Sequence, residues 1–158
     1  MKLHFLRHAD AVSGSDDAAR ALSKKGADQC RWLGTFFKHA GLVFDAAYSS
    51  PLVRARQTAE RVLEICNPED FRAVILSDAL LNDTPSNQFE DWLDSLPGVK
   101  NILLVGHAPS LADRARRILR MSHPNTLELP KAGMVSLKTE DRRVGTLKGF
   151  ITPKLLGK

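Results

Sequence analysis

Apolar and polar positions follow two rhythms along this chain, one of strands and one of helices. Lys2-Leu3-His4-Phe5-Leu6 is a short apolar run that breaks into Arg7-His8-Ala9-Asp10, so it reads as a buried strand opening into a charged turn. Residues 11–22 are small and polar, a loop. Ala27, Cys30, Leu33, Phe37 and Ala40 then recur at helical spacing. Ser23 as N-cap and Gly41 at C′ bound that helix. Leu42 to Tyr48 reads as a second strand. Ser50 as N-cap and Pro51 in the first helical position start a helix that runs to about Cys66, with Leu52, Ala55, Ala59, Val62 and Cys66 on its core face. Ala73 to Leu76 is a short third strand, and the loop Ser77 to Ser86 holds Asp78 and Asp83. Phe89, Trp92, Leu93 and Leu96 mark a helix stopped by Pro97-Gly98. Asn101 to Gly106 is continuously apolar, as a central parallel strand requires, and delivers His107 at its end. Pro109 opens a helix with Leu111, Ala115, Ile118 and Leu119 inward and Arg114, Arg116, Arg117 and Arg120 outward. Met134 to Leu137 and Thr146 to Ile151 are two final strands around the polar turn Glu140-Asp141-Arg142-Arg143. The alternation predicts an α/β fold: residues 1–158 as a single domain, a three-layer α/β/α sandwich with a largely parallel sheet.

Composition narrows the picture. The chain has 158 residues, 43% hydrophobic and 26% charged, within the ordinary range for a globular protein with a sizeable core. No apolar run is long enough to span a membrane, and His4 and Arg7 break the N-terminal run that a signal peptide would need. Cys30 and Cys66 fall on apolar helix faces, the pattern of reduced core thiols in a cytoplasmic protein. The net charge of +5 favours anionic ligands. It is too mild, and too poor in interleaved aromatics, for nucleic acid. A monomer is expected. His4 reads as a packed strand residue and His123 as a loop residue, while the arginines at 114, 116, 117 and 120 read as a solvated face rather than a docking surface for an acidic protein.

The chemistry sits at strand ends. In an open α/β sheet, ligands bind at the carboxyl ends of the strands. Arg7-His8 and His107 stand at two such ends, and Arg54 lies in the first turn of the helix after a third. Guanidiniums suit bidentate recognition of phosphate, and helix N-termini add backbone donors. No Gly-rich nucleotide loop or carboxylate cluster for Mg²⁺ accompanies them, so a neutral imidazole beside a clamped phosphoryl group is the available nucleophile. His8, His107 and Asp10 could form a metal site, but two nearby arginines would repel a cation, and no metal or cofactor is expected.

Four pieces carry a family resemblance: Leu6-Arg7-His8-Ala9-Asp10-Ala11, Arg20-Ala21-Leu22-Ser23-Lys24-Lys25-Gly26, Ser49-Ser50-Pro51-Leu52-Val53-Arg54-Ala55-Arg56-Gln57-Thr58-Ala59 and Val105-Gly106-His107-Ala108-Pro109. In that order they resemble the histidine phosphatase superfamily, whose fold is phosphoglycerate mutase-like, and in particular its small SixA-type phosphohistidine phosphatase branch. Ala9 stands where the wider superfamily commonly has Gly, a departure that the SixA-type branch accepts. The resemblance implies that His8 is the nucleophile, that Arg7, Arg54 and His107 bind the phosphoryl group, and that Arg20 also faces the site.

Larger superfamily members carry an acidic proton donor in an insertion after the third strand; here a short loop offers only Asp78 and Asp83. A leaving imidazole needs less acid help than a leaving alkoxide, so the expected substrate is phosphohistidine on a protein, with a small phosphomonoester as the alternative. A non-catalytic phosphoryl-binding module is a further alternative, although binding alone would need only the arginines. A chain this short leaves little room for the substrate cap of a mutase.

Overall fold

A computed structural model describes residues 1–69 and 73–158. Its centre is β4 (Asn101–Gly106), buried at every position. On one side β4 pairs in parallel with β1 (Lys2–Arg7), from Lys2 opposite Asn101 to Arg7 opposite Gly106. On the other it pairs in parallel with β2 (Ala46–Ser49), which carries the two-residue edge strand β3 (Ile75–Leu76). Beyond β1 the sheet turns antiparallel through β5 (Met134–Thr139) and β6 (Gly145–Ile151). Among the described residues the order β3-β2-β4-β1-β5-β6 makes a mixed sheet of six strands, with its four parallel strands together. The expected α/β/α sandwich is present, and the parallel part is the part that matters for the site.

Strand alternation sends side chains to both faces, so the sheet needs two cores. Leu3, Phe5, Ile102, Leu104, Val135 and Leu137 pack against α3 (Ser86–Ser95) and α4 (Ser110–Ile118). Leu6, Leu103, Val105 and Met134 pack against α1 (Lys24–His39) and α2 (Val53–Cys66). Where α1 crosses α2, a Cβ on Gly34 would stand 2.8 Å from the Cβ of Ile65, so only glycine allows this approach. Cys30 and Cys66 are buried free thiols, and burial pushes them up to about 12 and about 11.

Four sequence expectations change. The second strand starts at Ala46 rather than Leu42, because the Asn67 side chain donates to the Phe44 carbonyl and accepts from the Phe44 N–H, taking both groups a ladder would use. The third strand shortens to Ile75–Leu76. The helix expected from Pro51 begins at Val53, with extended Leu52 at its N-cap and the Ser50 hydroxyl accepting from the Leu52 N–H at 3.3 Å. Arg114 does not face out. It is buried, donates to the carbonyls of Leu81 and Thr84, and lies 4.4 Å over the Phe89 ring. Its stem covers the core while its head finds carbonyls from a loop that periodicity alone does not place there. Among the described residues, no helix is long and apolar enough to cross a membrane.

His4 is a structural histidine, as read. Its Nδ1 meets the Ser136 hydroxyl at 2.8 Å, its Nε2 meets Asn101 Oδ1 at 3.3 Å, and its ring packs edge-on to Phe44. Burial first, against a weaker raising effect of the Asn101 bond, holds its pKa down at about 4. The unfolded chain therefore binds the proton first as pH falls. Stability is intact above about 6.5 and declines toward pH 4, by roughly 3 kcal/mol for one such group. Urea midpoints should fall between pH 7 and pH 5, and less so in His4→Gln; equal pH dependence in the two proteins would exclude His4 as a contributor.

Candidate active site

The register of the central ladder builds the site. Arg7 pairs with Gly106, so the next residues, His8 and His107, leave adjacent parallel strands side by side. Their ring centroids are 5.1 Å apart. The His8 N–H donates to the Gly106 carbonyl and the His8 carbonyl accepts from Ala132 N–H, which fixes the backbone on both sides. Arg54 comes from the first turn of α2, leaning back to the same edge. Arg7, His8, Arg20, Arg54 and His107 all line one cavity of about 560 Å³. All five residues expected at the site are brought together.

The His8 ring has a defined orientation. Nδ1 lies 2.7 Å from the Ala9 carbonyl oxygen, which can only accept, so Nδ1 carries the proton. Nε2 then holds the lone pair, and Arg54 Nε donates to it at 3.3 Å. Both contacts select the same tautomer. Burial above all, and then the charges of Arg54, Arg7 and Lys131, bring the His8 pKa down to about 4 against the raising effect of the Ala9 bond. His107 is brought down to about 3 by burial, then by His8 and Arg54. Both rings are neutral at pH 7. A neutral imidazole with a free Nε2, beside guanidiniums, suits nucleophilic attack on an electron-poor phosphorus.

The sequence reading missed four residues. Ser50 Oγ lies 2.6 Å from His107 Nε2 and also accepts from the Leu52 N–H, so the serine read as a helix cap orients an imidazole as well. Asp17 sits in a single 3₁₀ turn (Asp17–Ala19) of the loop 11–22, and its carbonyl and carboxylate both accept from Arg54. Arg20 Nε lies 3.2 Å from the other Asp17 oxygen, close enough to pair by charge though without hydrogen-bond alignment. The Arg54 bond holds the Asp17 carboxyl below the usual carboxylate range. Nothing in a run of Ser, Gly and Asp marks Asp17 in advance. Thr58 and Gln57 were in the motif but without a role. Thr58 Oγ1 donates to the Arg54 carbonyl and accepts from Ala9 N–H, and Gln57 accepts from Leu22 N–H.

Asp10 faces away from the chemistry, accepting from Ser23 Oγ at 2.6 Å and Lys131 Nζ at 2.7 Å. A Cβ on Gly26 would stand 2.0 Å from the Asp10 carbonyl oxygen, so glycine is required for α1 to dock on this turn. Of the two candidate acids, Asp83 lies on the cavity wall and Asp78 does not.

The tautomer and pKa of His8 can be read directly. Long-range ¹H–¹⁵N spectra should show a protonated Nδ1 and an unprotonated Nε2, unchanged from pH 8 to well below pH 6. A midpoint near the ordinary histidine value of about 6.5 would contradict the burial argument.

Comparisons with known proteins bear on the family and the fold. An uncharacterized protein of Picosynechococcus sp. is 32% identical over 154 residues, covering 91% of this chain and 88% of its own. Phosphohistidine phosphatase SixA of Escherichia coli is 27% identical over 112 residues, covering 69% of this chain and 68% of its own. Among solved structures, the protein histidine phosphatase SixA complexed with tungstate superposes with a TM-score of 0.87 over 99% of both chains, at 21% identity. The pattern of the histidine phosphatase superfamily (branch 1) matches residues 3–81, which hold Arg7, His8, Arg20 and Arg54. This chain belongs to the histidine phosphatase superfamily.

Proposed function

We propose that the chain is a phosphatase acting through a phosphoenzyme on His8, with phosphohistidine on a protein as its substrate. One observation carries the reading: the Ala9 carbonyl holds the proton on His8 Nδ1, so the Nε2 lone pair is available at the cavity at neutral pH. Nε2 attacks phosphorus while the bond to the leaving nitrogen breaks. If the other ring nitrogen of the substrate is protonated, the leaving group departs as neutral imidazole with no added proton. Water then attacks the phosphoryl group on His8, and the breaking P–N bond returns its electron pair to Nε2. The water protons pass to phosphate and solvent.

The arginines and His107 divide the work. Arg54 Nε gives up its contact with Nε2 and, with Arg7 and His107, meets the phosphoryl oxygens, where charge spreads in the transition state. Arg20 joins from the cavity wall. Ser50 orients the His107 ring, and Thr58 ties the Arg54 turn to the backbone next to His8. The tungstate in the similar SixA structure is a tetrahedral dianion like phosphate, which supports a site of this charge and shape.

The nucleophile is tested by trapping it. Brief exposure to labelled substrate and alkaline quench should leave acid-labile label on the wild-type protein and none on His8→Ala. Label retained by His8→Ala would transfer the role to another residue.

The substrate class follows from the acid. Asp17 is held ionised by Arg54, which makes it a poor proton donor at neutral pH. A leaving imidazole or activated phenol tolerates this, whereas an alkoxide loses a contribution of roughly 100- to 10,000-fold. Rates should therefore fall steeply with leaving-group basicity, and Asp83→Ala should slow alkyl and aryl phosphates alike. A selective loss on alkyl phosphates would make Asp83 the acid and favour small phosphomonoesters.

A further inference from the structure

A second concentration of charge shares no lining residue with the phosphoryl cavity. A cavity of about 430 Å³ opens between α3, the later part of α4 and the β5–β6 turn. Among the described residues six arginines line it (Arg114, Arg116, Arg117, Arg120, Arg142 and Arg143) against one carboxylate, Glu90. Part of this charge is answered within the protein. Asp113 pairs with Arg116 and Arg117, Asp94 pairs with Arg143, and Arg142 donates to the carbonyls of Leu93, Asp94 and Leu96 where α3 ends. The remainder is not. Among the described residues Arg120 forms no ion pair, and the buried Nη1 atoms of Arg114 and Arg143 have no acceptor. Arg114 is only 4% exposed, lines both this cavity and the next, and keeps one guanidinium nitrogen without an acceptor, so its charge is built into the wall rather than left to solvent.

This cavity is one end of a trough. A middle cavity of about 740 Å³ shares Ser86, Arg114 and Arg116 with the arginine end. It shares Arg7, Asn82 and Ala108 with the phosphoryl cavity. Pro109, Ala112, Pro124, Leu127 and Leu129 give it an apolar part, and Arg7, Arg114 and Arg116 outnumber its two carboxylates, Asp113 and Glu128, among the described residues. A small phosphomonoester would occupy the first cavity and leave the other two empty, because one site of this size already suffices for a small molecule. An extended chain would use all three.

We propose that the trough docks an acidic segment of a phosphorylated protein, its phosphoryl group at His8 and its carboxylates among Arg114, Arg117 and Arg120. The inference rests on the protein phosphohistidine reading above and adds a recognition rule to it. Carboxylates there supply an acceptor for Arg120, which forms no ion pair among the described residues, and stand beside the Arg114 guanidinium, while opposite charge steers encounter as well as register.

The test uses two synthetic peptides, each phosphorylated on one histidine and differing only in flanking glutamates or glutamines. The wild-type protein should favour the glutamate peptide by about tenfold in kcat/KM, mostly through KM, and added salt should shrink the preference. Arg117→Glu/Arg120→Glu, on exposed positions, should abolish the preference while leaving aryl phosphate hydrolysis unchanged. Equal rates on both peptides, or a preference that survives the double substitution, would overturn the docking proposal and leave the phosphohistidine reading standing. If aryl phosphate is hydrolysed and neither peptide is, the phosphohistidine reading fails instead. Docking is then decided by anisotropy of fluorescein-labelled hexaglutamate: binding weakened about tenfold by the double substitution supports it, and no binding overturns it.

Discussion

The parallel pairing of β1 with β4 is the constraint on which the rest depends. It aligns Arg7 with Gly106, and the next residue of each strand is a histidine. A slip of one residue would turn Leu3 and Phe5 from one core to the other and exchange Leu6 with them. The two apolar layers therefore fix the register, and the register fixes the imidazole pair. Packing energy spent on the cores positions the chemistry at the strand ends without a separate device.

The site then has to tolerate its own charge. His8, Arg54 and His107 are all more than nine-tenths buried, and a buried cation without a partner is strongly destabilising. Two effects relieve this. Burial keeps both imidazoles neutral, and Asp17 reaches in from an exposed 3₁₀ turn to pair with Arg54 and Arg20. The proposed substrate dianion would enter the same field, where Arg54 is held by contacts to His8 and Asp17 that an incoming phosphoryl group can replace.

Much of this was legible in the sequence, for physical reasons. Strands that end in Arg-His and Gly-His, and a helix starting after Ser-Ser-Pro, are local patterns whose consequences are local, and the four residues named from them line one cavity together with Arg20, which the family resemblance had implied. What could not be read depended on partners distant in the chain. Ser50 looks like a helix cap until His107 is known to lie beside it. Arg114 looks solvated by periodicity until the loop carbonyls of Leu81 and Thr84 are seen to reach over α4. Leu42 to Phe44 has strand character, but the Asn67 amide takes the backbone that a neighbouring strand would need. Asp17 has no signal at all, because its role comes from where a polar loop folds back.

Thr58 has a mechanical effect. One hydroxyl joins the carbonyl of Arg54 to the N–H of Ala9, so the turn bearing the guanidinium and the strand end bearing the imidazole are coupled through a single atom. Any shift of α2 against the sheet that separated Arg54 from His8 would have to stretch one of these two hydrogen bonds, so the spacing the proposed chemistry needs is tied to a contact made within the site itself.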